Sequence, residues 1–578
     1  VNTARRRLPF GAEIVDDEGT RFRLWAPDAR RVDVLIDDDI REMTRDSNGW
    51  HELVTNAPAG TRYRYRIDGA LDVPDPASRA QDGGMDGASI VVDATAYAWQ
   101  CSRWNGRPWE EAILYELHVG LYGGFRGVID ALDDLAALGI TAIELMPVAQ
   151  FPGARNWGYD GVLPFAPAAS YGTPDDLKAL VDAAHARNVM VVLDVVYNHF
   201  GPCGNFLGTY AKAFFDASRQ TPWGAAIDFA RPEVREFFLE NAMYWIHEFR
   251  FDGLRLDAVH AIGDDAFVAT LIERVTHRHN GECRRVVVLE NEENGAALLE
   301  ARCAAQWNDD AHHVLHTILT GEHEGYYADY ADDATNHLAR WLAEGFVFQG
   351  EAMNYRDGRA RGSTSRHLPP TVFVNALQNH DQVGNRALGD RVIDHADPRA
   401  LDAAYALLLL VPQIPMLFMG EDWGSRRPFQ YFTDYEGELG AAVRDGRRRE
   451  FARFAAFSAA DIPDPNDPST FEASRPDFGA REGSAFRERI RHLIALRREH
   501  VVPRLSGARS LGASVVGPLA VGARWRMGDG RVLRIAVNFG DAAVSIDAAG
   551  AAPFFASDGS AVRGSLAPAA CAAWLLDA

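Results

Sequence analysis

A chain of 578 residues exceeds what one hydrophobic core organises, so two to four domains are expected, one of them large enough for a barrel of roughly 250 residues. Its 47% hydrophobic and 24% charged content is that of an ordinary globular protein, and no apolar run reaches the ~18 residues that a bilayer-spanning helix needs. Lys and Arg total 59 against 81 for Asp and Glu, a net −22, which disfavours nucleic acid and anionic membrane surfaces as partners and suits a neutral substrate, although acidity can equally serve solubility alone.

The first residues, VNTARRRLPFGAEIVDDEG, carry arginines with no apolar stretch of signal-peptide length behind them, so a cytoplasmic location is expected. Residues 1–98 hold short β-type stretches, RFRLWAP, RVDVLI and YRYRIDG, separated by Gly, Asp and Pro, and predict a small β-sandwich. The segment from Asp72 to Asp93, rich in turn-forming residues, reads as a connection.

Residues 99–505 change rhythm. Apolar runs alternate with amphipathic helices (ILYELHV, GVIDALDDLAAL, ITAIELM, DDLKALVDAAHAR, VMVVLDVV), the pattern of βα units around a parallel sheet. The second helix is marked by Thr173, Pro174 and Asp176 as N-cap, first-turn proline and N3 acid, with Leu177, Leu180, Val181 and Ala184 on one stripe. GLRLDAV (253–259), VVVLEN (286–291), a weaker HHVLH (312–316), VFVNAL (372–377) and PMLFM (415–419) bring the strands to eight, which predicts a closed (β/α)8 TIM barrel, an α/β fold. FRERIRHLIALRREH, with Phe486, Ile490, Leu493 and Ile494 at helical spacing, would close it. Long stretches at 200–231 and 420–480 interrupt the rhythm and are expected to carry function. From Ser506 to residue 578 β-type stretches return, predicting a C-terminal antiparallel β domain.

Placed on that barrel, Asp194 and His199 follow strand three, Arg255 and Asp257 end strand four, Glu290 ends strand five, and His380 and Asp381 follow strand seven. All fall on the C-terminal rim, where barrel enzymes build their sites. Arg255 and Asp257 are two apart on a strand and point the same way, so the cation favours an ionised, nucleophilic carboxylate; a purely structural ion pair is the alternative. Glu290 leaves an apolar strand for a cleft shared with other carboxylates, which favours its protonated form and a general-acid role, with Glu292 and Glu293 as competitors. Two carboxyl groups with such opposed environments are what glycosidic cleavage requires. Asp381 could bind sugar hydroxyls, and His199 and His380 could donate to the same sugar or be structural. Trp157, Tyr159, Trp223, Tyr326, Tyr327 and Trp423 are expected in the surrounding loops, as sugar-stacking or as packing rings.

His312, His313 and His316 do not make a metal site, lacking HExxH order and an adjacent ligating acid; Asp309 and Asp310 read as a loop upstream of them. Neither a P-loop nor a dinucleotide fingerprint is present, so no nucleotide cofactor is expected. Cys101, Cys203, Cys283, Cys303 and Cys571, scattered and odd in number, predict neither a disulfide framework nor a zinc site, but mostly buried thiols.

DVVYNH, GLRLDAVH, LEN and LQNHD, in this order, resemble the four signature regions of the α-amylase superfamily of glycoside hydrolases. The resemblance spans about residues 110–505. It implies a retaining double displacement with Asp257 as nucleophile, Glu290 as acid/base and Asp381 as transition-state stabiliser. Tyr159, Asp194, His199, Arg255, His260 and His380 are implied on the substrate side, with no metal or other cofactor, although Asn198 matches a calcium-ligand position of many amylases. Further segments, MPVAQFPGARNWGYDG, NDDAHHVLHTILTGEHEGYYADY and FMGEDW, are similar to the maltooligosyltrehalose trehalohydrolase family. That implies maltooligosyltrehalose as substrate, cleavage of the α-1,4 bond next to its terminal trehalose unit, and functional coupling to a maltooligosyltrehalose synthase. A glycogen branching enzyme is the nearest alternative, and a catalytically silent glucan-binding protein a more distant one.

Overall fold

Eight short strands in the computed structural model pair with their neighbours in one ring, each parallel to the next. They are β1 (Leu114–Leu117), β2 (Ala142–Leu145), β3 (Met190–Val195), β4 (Gly253–Leu256), β5 (Glu282–Leu289), β6 (Ala304–Trp307), β7 (Phe373–Ala376) and β8 (Ile414–Phe418). β8 pairs back with β1, which closes the eight strands into a barrel. The structure describes residues 7–15, 18–37, 39–221, 224–279, 282–300, 303–451, 462–547 and 551–577.

Helices α1 (Phe125–Leu138), α2 (Pro174–Ala186), α3 (Pro232–Glu248), α4 (Asp265–Val275), α5 (Asp309–Thr320), α6 (Ala334–Glu344), α7 (Pro398–Leu410) and α8 (Ala485–Leu496) surround it. α2 begins as its sequence dictates. The Thr173 hydroxyl accepts from Asp176 N–H at 3.1 Å and Asp176 returns the bond to Thr173 N–H at 2.9 Å, while Leu177, Leu180, Val181 and Ala184 are buried. In α8, Ile490, Leu493 and Ile494 are buried and Phe486 is half-buried.

Three expectations need correction. The sixth strand is Ala304–Trp307, and His312–His316 belong to α5. Ala311, Val314, Leu315 and Leu319 are buried at helical spacing, so the 3.6-residue period overrides a short β-like run, and Asp309 and Asp310 form the helix's first turn rather than a loop. Cys283 and Cys303 form a disulfide, with Cα atoms 5.6 Å apart; among the described residues Cys571 alone is a fully buried thiol, while Cys101 and Cys203 are half-buried. The bond spans the β5–β6 crossover, which carries one 3-10 turn (Ala296–Leu298) and no α-helix among the described residues. The pairing of β5 with β6, not a local motif, brings these cysteines together.

The third correction concerns 72–93. The N-terminal sandwich has one sheet of strands Gly11–Val15, Gly19–Trp25, Trp50–Thr55 and Thr44–Arg45, and a second of Asp39–Glu42, Val32–Ile36, Arg62–Ile67, Leu71–Val73 and Ser89–Ile90. Phe22, Leu24, Val34, Tyr63 and Tyr65 fill its core. Asp75 is fully buried, accepting from Tyr63 Oη at 2.6 Å and from Ala77 N–H at 2.8 Å, and Ser89–Ile90 pairs with the strand Arg62–Ile67. The segment read as a connection is thus part of the sandwich, because its acid satisfies the buried tyrosine hydroxyls. The C-terminal domain is a five-stranded antiparallel sheet built on Arg509–Gly517, Ala520–Arg526, Val532–Asn538, Ala570–Leu576 and Phe555–Ala556.

Candidate active site

The inward positions of the barrel follow the two-residue period of a strand. Their lower part is apolar: Leu114, Ala142, Met190 and Val192, Val286 and Val288, Ala305 and Trp307, and Val374 and Ala376 form one buried cluster. One further step up the same faces the residues turn charged: Glu116 on β1, Glu144 on β2, Asp194 on β3 and Arg255 on β4. Asp257, Glu290 and Asp309 continue the phase beyond β4, β5 and β6. The barrel therefore has an oily floor and a rim of ionisable side chains.

Arg255 organises that rim. Its guanidinium is fully buried and lies 4.0 Å over the Trp307 ring. Nη1 donates to Asp194 at 2.8 and 2.9 Å and to Asp257 Oδ1 at 2.9 Å, and Nη2 donates to Glu290 Oε2 at 2.7 Å. Asn198 Nδ2 fixes the other Asp257 oxygen at 2.7 Å and its carbonyl at 3.0 Å. Glu290 Oε2 also accepts from Ala258 N–H at 2.9 Å. Ala258 takes a left-handed backbone, φ 41°, to aim that amide.

Asp381 is the most exposed of the three acids, with 36% of its side chain accessible, at the start of a short helix (His380–Gly384) that Asn379 caps. His380 Nε2 lies 3.4 Å from Asp381 Oδ1; its Nδ1 stands 2.5 Å from Glu116 Oε1, and its backbone N–H donates to Glu116 Oε2 at 3.1 Å. Burial opposes the imidazolium, but Asp381 and Glu116 outweigh it and push His380 up to about 9. Tyr159 stacks on His380 with centroids 5.0 Å apart, and its hydroxyl donates to Asp194 Oδ2 at 2.6 Å. His199 directs Nε2 at the Tyr159 carbonyl, 2.9 Å away, and Nδ1 at Asn198 Oδ1.

So many acids in one barrel mouth cannot all stay ionised. Burial, against the pull of Arg255, holds Asp194 up at about 7; burial together with the charge of Glu290 does the same for Asp309. Glu144 is buried without a hydrogen-bond partner among the described residues and is pushed well above the carboxylate range by burial and by Glu116.

A cleft of about 700 Å³ opens above these groups. Tyr159, His199, His260 and His380 line it with Asp257, Glu290 and Asp381, while Asp194 and Arg255 lie buried beneath as their supports. Of the predicted rings, Trp157, Tyr159 and Tyr326 line the cleft. Tyr327 instead stacks on His316 at 4.3 Å, Trp423 packs near Phe478 at 6.2 Å, and Trp223 lies outside the described residues. Tyr330, Tyr355 and Tyr431 line it without having been anticipated, as does Asp309. For Glu116 and Glu144 the signal was present, each being two residues on from an inward apolar residue of its strand, whereas Asp309 follows a strand that sequence reasoning placed elsewhere. The tyrosines come from long loops without a period, where sequence has no such guide.

No group of three or more His, Cys, Asp or Glu with metal-holding geometry occurs among the described residues. The Asn198 amide nitrogen is committed to Asp257 and its oxygen to His199. What the arrangement can do is covalent acid/base chemistry: one carboxylate clamped by Arg255 and Asn198, a second with one oxygen clamped and the other facing the cleft, and a third beside a cationic imidazole.

Comparison with known proteins places the chain among similar sequences and structures. The family described as the alpha amylase catalytic domain matches residues 78–220, carbohydrate-binding module 48 (isoamylase N-terminal domain) matches 9–82, and a domain of unknown function, DUF3459, matches 508–574. A malto-oligosyltrehalose trehalohydrolase from Deinococcus radiodurans is 40% identical over 503 residues, 86% of this chain and 82% of its own length. One from Arthrobacter ramosus is 39% identical over 572 residues, covering 92% and 99% respectively. A crystal structure from Salmonella typhimurium, of a protein described as an alpha amylase, superposes with a TM-score of 0.93 at 41% identity, covering 98% of this chain and 99% of that one.

Proposed function

The chain belongs to the malto-oligosyltrehalose trehalohydrolase family, with an alpha-amylase catalytic domain, and from that premise we propose that it hydrolyses the α-1,4-glucosidic bond next to the terminal trehalose unit of maltooligosyltrehalose and releases trehalose. Asp257 is the nucleophile, Glu290 the acid/base and Asp381 the carboxylate that holds the sugar's hydroxyls in the transition state. The observation that carries this reading is the Arg255 guanidinium, which joins Asp257 and Glu290 through adjacent nitrogens at 2.9 and 2.7 Å. Such a clamp sets a positive charge against the attacking carboxylate and fits the short carboxyl separation of a retaining glycosidase, about 5–5.5 Å.

In the first step Glu290 gives its proton to the departing glycosidic oxygen while Asp257 bonds to the anomeric carbon. In the second a water loses its proton to Glu290 and displaces Asp257. Tyr159 offers its ring, and His380 its charged N–H, to the sugar that is attacked. His260, Glu292, Tyr326 and Tyr355 also line the cleft, polar and aromatic groups suited to a disaccharide leaving group. Work alongside a synthase that makes the trehalose-ended substrate follows from this reading.

The test compares maltooligosyltrehalose with a maltooligosaccharide of equal length. Both present the same bond to the same acids, so preference arises where trehalose, which lacks a reducing end, satisfies donors that maltose leaves unpaired. The expected preference in kcat/KM is roughly ten- to a hundredfold, at about 1.4 kcal/mol per factor of ten. Equal rates would sink the substrate reading, and a mainly branched product from amylose would make the chain a branching enzyme.

A further inference from the structure

We propose that Glu116 is a positioning residue of the reaction: it acts through His380, holding that ring as a charged hydrogen-bond donor to the attacked sugar while cancelling its net charge. This rests on the reading of the cleft as a glycosidase site and deepens it.

Glu116 spends both oxygens on one residue. Oε1 meets His380 Nδ1 at 2.5 Å and Oε2 accepts the His380 backbone N–H at 3.1 Å. The carboxylate is 1% exposed, on β1, and the histidine side chain is 2% exposed, after β7. One bond fixes the ring at Nδ1 and the other fixes the backbone that carries it, while Trp157, edge-on at 5.6 Å, and Tyr159, stacked at 5.0 Å, confine the imidazole. Nδ1 is thereby committed to the carboxylate, so Nε2, beside Asp381 at 3.4 Å, is the nitrogen left for substrate.

The groups facing His380 decide its charge. Asp381 on its own turn and Glu116 from β1 favour the cation, and Arg255 from β4 opposes it. Asp194 from β3 is held up at about 7. Glu144, opposite Glu116 in the β1–β2 register, is pushed well above the carboxylate range by burial and by Glu116, and His118 is driven down to about 4 by burial and adds no charge. Glu116 is therefore the inner counter-charge of this imidazolium, as Asp381 is the outer one. An uncompensated cation here would oppose the positive charge that develops on the sugar. Paired with Glu116, His380 keeps the strength of a charged donor without that penalty.

The test uses the full chain and Glu116→Gln. A glutamine accepts only one of the two bonds and donates toward Nδ1, which selects the neutral ring. With ¹³C-labelled histidine, His380, identified by its loss in His380→Asn, should titrate lower by about one pH unit or more in E116Q. The alkaline limb of kcat should move to lower pH by a similar shift, and E116Q should cost no more than about twofold in the His380→Asn background, because a residue acting through another has nothing left to act on. Glu116→Asp keeps the charge and should hold the limb closer to the parent position, so the comparison stands even if E116Q folds poorly. An unmoved His380 titration, an unmoved limb, or losses that multiply with those of His380→Asn would overturn the proposal while leaving parental trehalose release intact; absence of that release would instead remove the functional reading.

Discussion

Arg255 Nη2 stands 2.7 Å from Glu290 Oε2, a bond that ties the end of β5 to the inside of β4. Because Nη1 of the same guanidinium holds Asp194 and Asp257, one buried cation sets the spacing of three acids. Arg255→Met should strand those carboxylates in a dry barrel mouth, costing about 3–5 kcal/mol of stability. Turnover should fall by roughly 10²–10³. Arg255→Lys, a point charge without the fork, should recover stability better than rate. A thermal melt and kcat/KM for both variants check this; a near-parental rate in Arg255→Met would refute the clamp.

The three acids make separable contributions to one transition state. Asp257→Asn, Glu290→Gln and Asp381→Asn should each lower turnover by about three orders of magnitude or more with melting temperatures near that of the parent. A variant that keeps its rate removes its residue from the mechanism.

Stereochemistry reports the spacing directly. Asp257 and Glu290 share one guanidinium, as expected for the short carboxyl separation of a retaining enzyme, so the newly formed reducing-type end should appear first as the α-anomer. Early β-anomer in an NMR time course would contradict the nucleophile.

The His380 pair also links stability to pH. Its folded-state value, pushed up to about 9 from 6.5, lies above the unfolded one. The stabilisation is therefore fully present below about pH 6.5 and lost as pH rises through about 9. The difference in melting temperature between the parent and His380→Gln should be largest near pH 6 and shrink by pH 9.5; a difference that grows with pH would reverse the assigned sign.

The Cys283–Cys303 disulfide closes a loop of 20 residues across the crossover between the strands leading to Glu290 and Asp309. By loop entropy such a bond contributes about 3 kcal/mol. Reductant, or Cys303→Ser, should lower the melting temperature, and alkylation after unfolding should count two more thiols with reductant than without. Identical counts would show that the bond is not formed.

Much of this was legible in the sequence because strand periodicity is a local property. GLRLDAVH puts Arg255 and Asp257 on one face by the two-residue pleat alone, and the Thr173 capping box and the stripe of α2 follow from spacing within a few residues. The same pleat, extended along ILYELHV and ITAIELM, already points Glu116 and Glu144 inward. What their alternation could not tell was which barrel partner each would meet. That Glu116 binds His380, 264 residues away, is a product of ring closure, and that Cys283 joins Cys303 follows from the pairing of β5 with β6; both set distances between strands that no local pattern encodes. The sixth strand was misread because four residues are too few to display a period against the stronger helical repeat of α5. The charge states were likewise decided by the tertiary structure: whether Asp194 or Glu144 stays protonated depends on burial and on neighbours brought in from other strands, and both exist only once the barrel has closed.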